Sequence, residues 1–345
     1  MDRLIIGIHG LRNKPAAAIL KDWWILSIRD GFDNISRPQL TFQFELVYWV
    51  DLLYKQPCDP FLLDKNNPLY LKNPYKKLEF NSLHQIDHKR QRRLERLEKI
   101  SNQLFHSDRV LESFEGISDR LIHSRFHDLE VYLRNQTGYL EASDRPIRDV
   151  ILERLGNLLL KYRHKKILLL AHSMGSIVAY DVLSQPDNPF KIHTLITMGS
   201  PLGQPTIMSK FTYSNPVIDK LKTPDNVEKW LNLADLRDIV ALDPTLGDDY
   251  APNANDMSPL DIFVDNTYEW EGVPNPHSVF GYLQTSVCAE YIHNFLCEGR
   301  SRLDLLCSRT CQAFRDRVLH ERAVMLRRSR PREEHVPNRS RHSIF

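Results

Sequence analysis

Residues 165–180 read KKILLLAHSMGSIVAY, an apolar run that ends in Ala171-His172-Ser173-Met174-Gly175 and passes straight into a helical pattern. A serine at such a corner is placed for nucleophilic attack on an acyl carbon. The turn needs small side chains two residues before and two after the serine, and here they are Ala171 and Gly175. A serine hydroxyl is a weak nucleophile at neutral pH. It requires a histidine to take its proton and a carboxylate to fix that histidine's tautomer. The expected chain order is serine, acid, histidine. After EKWLNLA (228–234) come Asp235, at the end of the apolar segment, and Asp238, on the loop beyond it. Both are candidate acids. Asp238 is preferred because the acid is usually presented on the loop and not at the strand end, and Ile239-Val240 after it are expected to anchor that loop by packing. His277, in VPNPHSVFGY, precedes the last helical pattern and is the candidate base; His293 competes but falls inside that helix. Charge developing on the acyl oxygen needs two backbone N–H donors. Met174, directly after the serine, offers one. Leu11, after His9-Gly10 at the end of the first apolar run, offers the other.

These groups come from distant parts of the chain, so the elements between them must bring them together. RLIIGI (3–8) reads as a strand buried on both faces. A helix is expected over 15–30, with Pro15 in its first turn and Gly31 as its stop. TFQFELVYWV (41–50) is aromatic and β-branched, a second strand. A helix over 144–163, in which Ile147, Val150, Ile151, Leu155, Leu158 and Leu159 keep a 3–4 spacing, leads to a strand at 166–171 and a helix at 174–184. Strands follow at 193–200 and 228–234, and a last helix at 279–296. This alternation predicts an α/β fold: a mostly parallel central sheet with helices on both faces.

The chain has 345 residues, a hydrophobic fraction of 42% and a formal net charge of +2, which gives no reason to expect a nucleic-acid partner. The charge is uneven. From Gly299 onward there are twelve Arg and no Lys against five acidic residues, or +7, which leaves the preceding body at −5. Five cysteines lack metal-ligand spacing and read as reduced thiols. The apolar run in MDRLIIGIHG is too short for a signal peptide, and no run approaches the roughly 20 apolar residues of a membrane helix. A cytoplasmic location is the default expectation.

Two segments interrupt or follow the alternation. Residues 58–143 are expected to be a helical insertion into a body spanning 1–298. Its charged stretch 88–105 carries a narrow apolar stripe at Leu94, Leu97, Ile100, Leu104 and Phe105, and a second helical pattern lies near 109–135. It reads either as a cap over the serine or as a solvated helical pair. Residues 299–345 form an Arg-rich tail expected to be partly disordered. Such a charge run is a solvated segment or a contact for an anionic membrane surface or nucleic acid.

The elbow, the His9-Gly10 turn and the order Ser173, Asp238, His277 resemble the α/β-hydrolase superfamily, above all small lipases and esterases whose chain begins at the strand carrying the His-Gly loop. The segment GSPLG (199–203) is similar to one in lipid-deacylating members. The resemblance covers about 1–57 and 144–298. It implies Ser173 as nucleophile, His277 as base, Asp238 as orienting acid, and Leu11 and Met174 as oxyanion donors. It implies no metal and no organic cofactor. The expected substrate is a carboxylic ester, lipid-like or acyl, with Leu11, Met174, Leu202, Tyr48 and Trp49 as candidates either for an apolar acyl pocket or for plain core. An acyltransferase or a thioesterase would use the same residues, and a silent binding module would keep the fold alone.

Overall fold

The longest unbroken apolar runs become the middle of one parallel sheet. Its central strands are β1 (Arg3–Ile8), β3 (Lys166–His172), β4 (Thr194–Met198) and β5 (Trp230–Ala234), with β2 (Gln43–Val47) and β6 (Leu260–Phe263) at the edges. The order is β2-β1-β3-β4-β5-β6, and every pairing is parallel. β4 and β5 are buried throughout, whereas β6 is exposed or half-buried along its length. The computed structural model describes residues 2–78, 127–134, 145–186, 188–212, 220–241 and 243–300. The chain divides into two units, Met1–Pro38 with Phe42–Glu298, and Gln39–Thr41 with Gly299–Phe345; the sheet lies in the first.

Successive strand residues face opposite sides, so each side of the sheet needs its own cover. Leu4, Ile6 and Ile8 of β1 join Ile151, Leu155 and Leu159 of α3 (Ile147–Lys161) and Ile177 and Val178 of α4 (Met174–Leu183) in one core cluster. α2 (His127–Leu133) packs against α3. The other side is covered by α1 (Ala17–Asn34), which packs on α6 (Val279–Gln284) and α7 (Ser286–Cys297). Burying each of these aliphatic side chains contributes about 1.5–3 kcal/mol, so the paired faces carry most of the stability.

Several boundaries differ from expectation for identifiable reasons. Gly31 does not stop α1, which runs on to Asn34. A Cβ at Gly31 would lie 2.6 Å from the Leu283 carbonyl oxygen, so its role is to let α6 approach. The helix expected over 279–296 is broken at Thr285, which is extended (φ −65°, ψ 145°) and whose side chain caps α7 by accepting the Cys288 N–H. The strand expected over 41–50 ends at Val47, and a 3-10 turn follows at Val50–Leu52. β6 and α5 (Pro205–Thr212) are additional elements.

Of the expected insertion, residues 58–78 and 127–134 are described. The first part is irregular and strapped to the body: Tyr75 bonds Asp30, Lys77 bonds Asp33 at 3.1 Å, and Tyr268 bonds the Pro74 carbonyl. The stripe from Leu94 to Phe105 and the Arg-rich segment beyond residue 300 lie outside the described residues. No described helix is long and apolar enough to cross a membrane.

Candidate active site

The strand order reverses between β1 and β3, since β1 leads to β2 on one side and the chain resumes at β3 on the other. Ligand sites of open parallel sheets lie outside the carboxyl ends of the strands at such a switch point. Gly10 follows β1 there and Ser173 follows β3. The two turns touch: a Cβ on Gly10 would lie 2.6 Å from Ser173 Cβ and 3.1 Å from its Oγ.

Ser173 has φ 54° and ψ −129°, a conformation costing a non-glycine residue about 1–3 kcal/mol. Local bonds offset that strain. Ser173 N–H donates to the Met198 carbonyl at 3.0 Å, and its own carbonyl accepts from Ser176 N–H at 2.9 Å and Ser176 Oγ at 2.6 Å. Gly175 is needed because a Cβ there would meet the Ile8 carbonyl oxygen at 2.5 Å. The crowding at the elbow therefore includes the β1 backbone, which the local sequence pattern does not contain.

Ser173 Oγ lies 3.0 Å from His277 Nε2, and His277 Nδ1 lies 2.8 Å from Asp238 Oδ2. The Asp238 side chain is fully buried, while that of His277 is 27% exposed. Asp238 Oδ1 accepts Val240 N–H at 2.9 Å, and Oδ2 also accepts the Tyr282 hydroxyl at 2.9 Å. With its lone pairs so directed, the carboxylate holds His277 with Nδ1 protonated, which leaves Nε2 to face the serine as an acceptor.

Asp235 is occupied elsewhere. It accepts from Arg237 N–H at 2.8 Å and Nε at 3.0 Å through Oδ1, and from Arg237 Nη2 at 2.6 Å and Asn266 N–H at 2.7 Å through Oδ2. Asn266 in turn donates its amide to the carbonyls of Pro276 and Ser278, each at 2.8 Å, and so grips the chain on both sides of His277. Asp235 thus anchors the residue that positions the histidine loop. The loop carrying Asp238 is not held by packing of Ile239, which is 68% exposed. It is held by the turn bond from Asp238 N–H to the Asp235 carbonyl (2.8 Å) and by Gln204 Nε2 on the Val240 carbonyl (2.6 Å).

Further residues of the site gave no sequence signal of their role. Tyr282 reads as an apolar helix position, yet its hydroxyl bridges Asp238 and the Asp235 N–H (3.0 Å). Gly199 has φ 53°, and a Cβ there would lie 2.5 Å from Asp238 Oδ2, so only glycine leaves room for the Asp238–His277 pair. His172 Nε2 donates to the His277 carbonyl at 2.8 Å, with ring centroids 4.7 Å apart. Burial, with the neighbouring His277 charge, holds the pKa of His172 well below 6.5. A neutral His172 places no cation beside His277.

Met174 opens α4, so its N–H has no partner within the helix. At the other turn, His9 Nδ1 donates to the Gly10 carbonyl at 2.9 Å, and Nε2 accepts Trp49 N–H at 3.2 Å. Burial, assisted by the Lys14 charge, pushes the His9 pKa down to about 3, so this ring stays neutral. Across a trans peptide the N–H points opposite to the C=O. Tying the Gly10 carbonyl to His9 therefore turns the Leu11 N–H away from that ring. Trp49 stacks on His9 with centroids 4.9 Å apart, and its Nε1 donates to the His9 carbonyl at 3.0 Å. Trp49, Leu202 and Met174 belong to the buried core, and Tyr48 donates to the Pro15 carbonyl at 3.1 Å. Of the candidate pocket residues, Leu11 and Tyr48 are half-buried and pack against that core, Leu11 at the turn itself.

The parallel sheet, the elbow after β3 and the helices on both faces define the α/β-hydrolase superfamily fold. Within it, residues 123–223 match the family model of the PGAP1-like alpha/beta domain. The matched stretch contains α2, α3, β3, the Ser173 elbow, α4 and β4, and ends before Asp238 and His277. No curated protein and no solved structure matches the chain. Fold and match together point to a hydrolase-like function.

Proposed function

We propose that the protein is a serine hydrolase of carboxylic esters, with lipid-like or long acyl esters as its substrate class. The single observation that carries this reading is the relay Asp238–His277–Ser173, bonded at 2.8 and 3.0 Å on an elbow of positive φ. In the mechanism, Ser173 Oγ attacks the ester carbonyl carbon as its proton passes to His277 Nε2. The N–H groups of Leu11 and Met174 receive the oxyanion. His277 then protonates the departing alcohol, leaving an acyl-serine. Water attacks that ester with His277 again as base, which releases the acid and restores the serine. Asp238 steadies the imidazolium through its bond to His277 Nδ1. Leu11, an aliphatic side chain partly buried at the turn after β1, favours an apolar acyl group over a charged one.

The test is hydrolysis of p-nitrophenyl esters from short to long acyl chains by wild type and Ser173→Ala. The expected result is Ser173-dependent turnover that rises with chain length. A peak at acetate would replace the lipid-like substrate class with small esters. Thioester turnover or acyl transfer without ester hydrolysis would move the reaction class.

A further inference from the structure

We propose that Lys14, Asp128 and Tyr54 form a clamp that positions the Leu11 N–H as an oxyanion donor, acting on the peptide unit immediately after it. This inference rests on the hydrolase reading above. The Leu11–Arg12 peptide is gripped at both ends. Its carbonyl accepts from Lys14 Nζ, which also donates to the Arg12 carbonyl at 3.2 Å. Its N–H, that of Arg12, donates to Asp128 Oδ2 at 2.7 Å. The other carboxylate oxygen of Asp128 accepts the Tyr54 hydroxyl at 2.8 Å. With the Gly10 carbonyl tied to His9, each polar group from Gly10 O to Arg12 N has a partner among the described residues apart from the Leu11 N–H.

The turn needs such a clamp. Arg12 has φ 69°, an unfavourable backbone state that the surroundings must enforce. Asp128 is 5% exposed and comes from α2, 116 residues along the chain from Arg12. A buried carboxylate brought so far to bond one loop amide has a specific partner to satisfy. Lys14 is itself fixed: Cys58 N–H donates to its carbonyl at 2.9 Å, and its own N–H donates to Asn13 Oδ1 at 2.9 Å. The clamp makes Lys14 and Asp128 positioning residues, since neither donates to the oxyanion.

Three variants test it: Lys14→Met, Asp128→Asn and the milder Tyr54→Phe. Each is assayed for p-nitrophenyl ester turnover, for inhibition by a trifluoromethyl ketone and for its melting temperature. The ketone adds to Ser173, and its oxyanion occupies the donors used in the transition state, so its Ki reads the donors and KM does not. Lys14→Met and Asp128→Asn are each expected to lower kcat by roughly ten- to a hundred-fold with KM nearly unchanged, and to raise Ki by the same factor. Tyr54→Phe is expected to move both in the same direction by a few-fold.

A second readout is the pH profile. Burial pushes the Lys14 pKa down to about 8, with Asp128 and Cys58 countering and Arg12 adding to the shift; the Lys14 charge acts in turn on His9 and His172, and Tyr54 faces it across Asp128. Wild-type kcat is expected to fall above about pH 8, a limb absent from Lys14→Met. Unchanged Ki in folded variants, or losses of kcat that only follow the loss of folded protein, would overturn the clamp and leave the hydrolase reading standing. A wild type with neither Ser173-dependent turnover nor ketone binding would overturn both.

Discussion

The two candidate carboxylates, three residues apart, are told apart by what their oxygens already bond. Asp238 faces His277 and accepts two further donors, whereas Asp235 is filled by Arg237 and Asn266. Asp238→Asn keeps the shape but favours the wrong His277 tautomer. It should lower kcat by about 10³–10⁴ while leaving the melting temperature near wild type. Asp235→Asn should act differently: it loosens Arg237 and Asn266, lowering stability by roughly 1–3 kcal/mol with a smaller loss of turnover. Steady-state kinetics and melting of both variants check this, and a reversed pattern would exchange the roles. In sequence, the loop position favoured Asp238 without excluding Asp235. The contacts that separate them come from Asn266 and Tyr282, which read as an ordinary loop asparagine and an ordinary helix position.

At the scale of elements, legibility followed burial. β1, β3, β4 and β5 are predominantly apolar because both faces are covered, with Thr197 and Asn232 as buried polar residues inside β4 and β5, and that pattern marks a strand from sequence alone. β6 is four residues long with Asp261 in its interior and Leu260 53% exposed, so neither alternation nor an apolar run marks it. Its pairing with β5 is a property of the assembled sheet. Gly31 and Thr285 failed for a related reason. A glycine in a helical pattern and a threonine between two helical stretches have local meanings, but what decided here was the position of Leu283 against α1 and the cap needed by α7. The Ser173 elbow was legible because the strand, the turn and the helix that build it are contiguous in the chain.

For the whole molecule, pH-dependent stability reflects groups outside the site. The loop between β5 and β6 gathers Asp243, Asp248 and Asp249, with Asp261 of β6 beside them. Burial, then the neighbouring carboxylates, raises the Asp249 pKa to about 8 from 3.8, and its Oδ2 is buried without a hydrogen-bond partner among the described residues. Between these values the unfolded chain has lost the proton and the folded chain keeps it. Folded-state stability from this group is therefore full below about pH 4 and is lost as pH rises toward 8. Asp249→Asn removes the titration. It should stabilise the protein by on the order of 1–2 kcal/mol at pH 8, allowing for partial solvation, and by nearly nothing at pH 4. Urea denaturation at both pH values checks this; an equal effect at each would place the cause in packing and not in ionisation.

The central claim is that His277 and Asp238 make Ser173 a nucleophile. The most direct test is reaction of the intact protein with a fluorophosphonate, followed by mass spectrometry of the labelled peptide. One adduct per chain on Ser173 is expected in wild type, none in Ser173→Ala, and labelling slowed by several orders of magnitude in folded His277→Ala. A folded wild-type protein that takes no label, or takes it equally with His277 removed, would contradict the account.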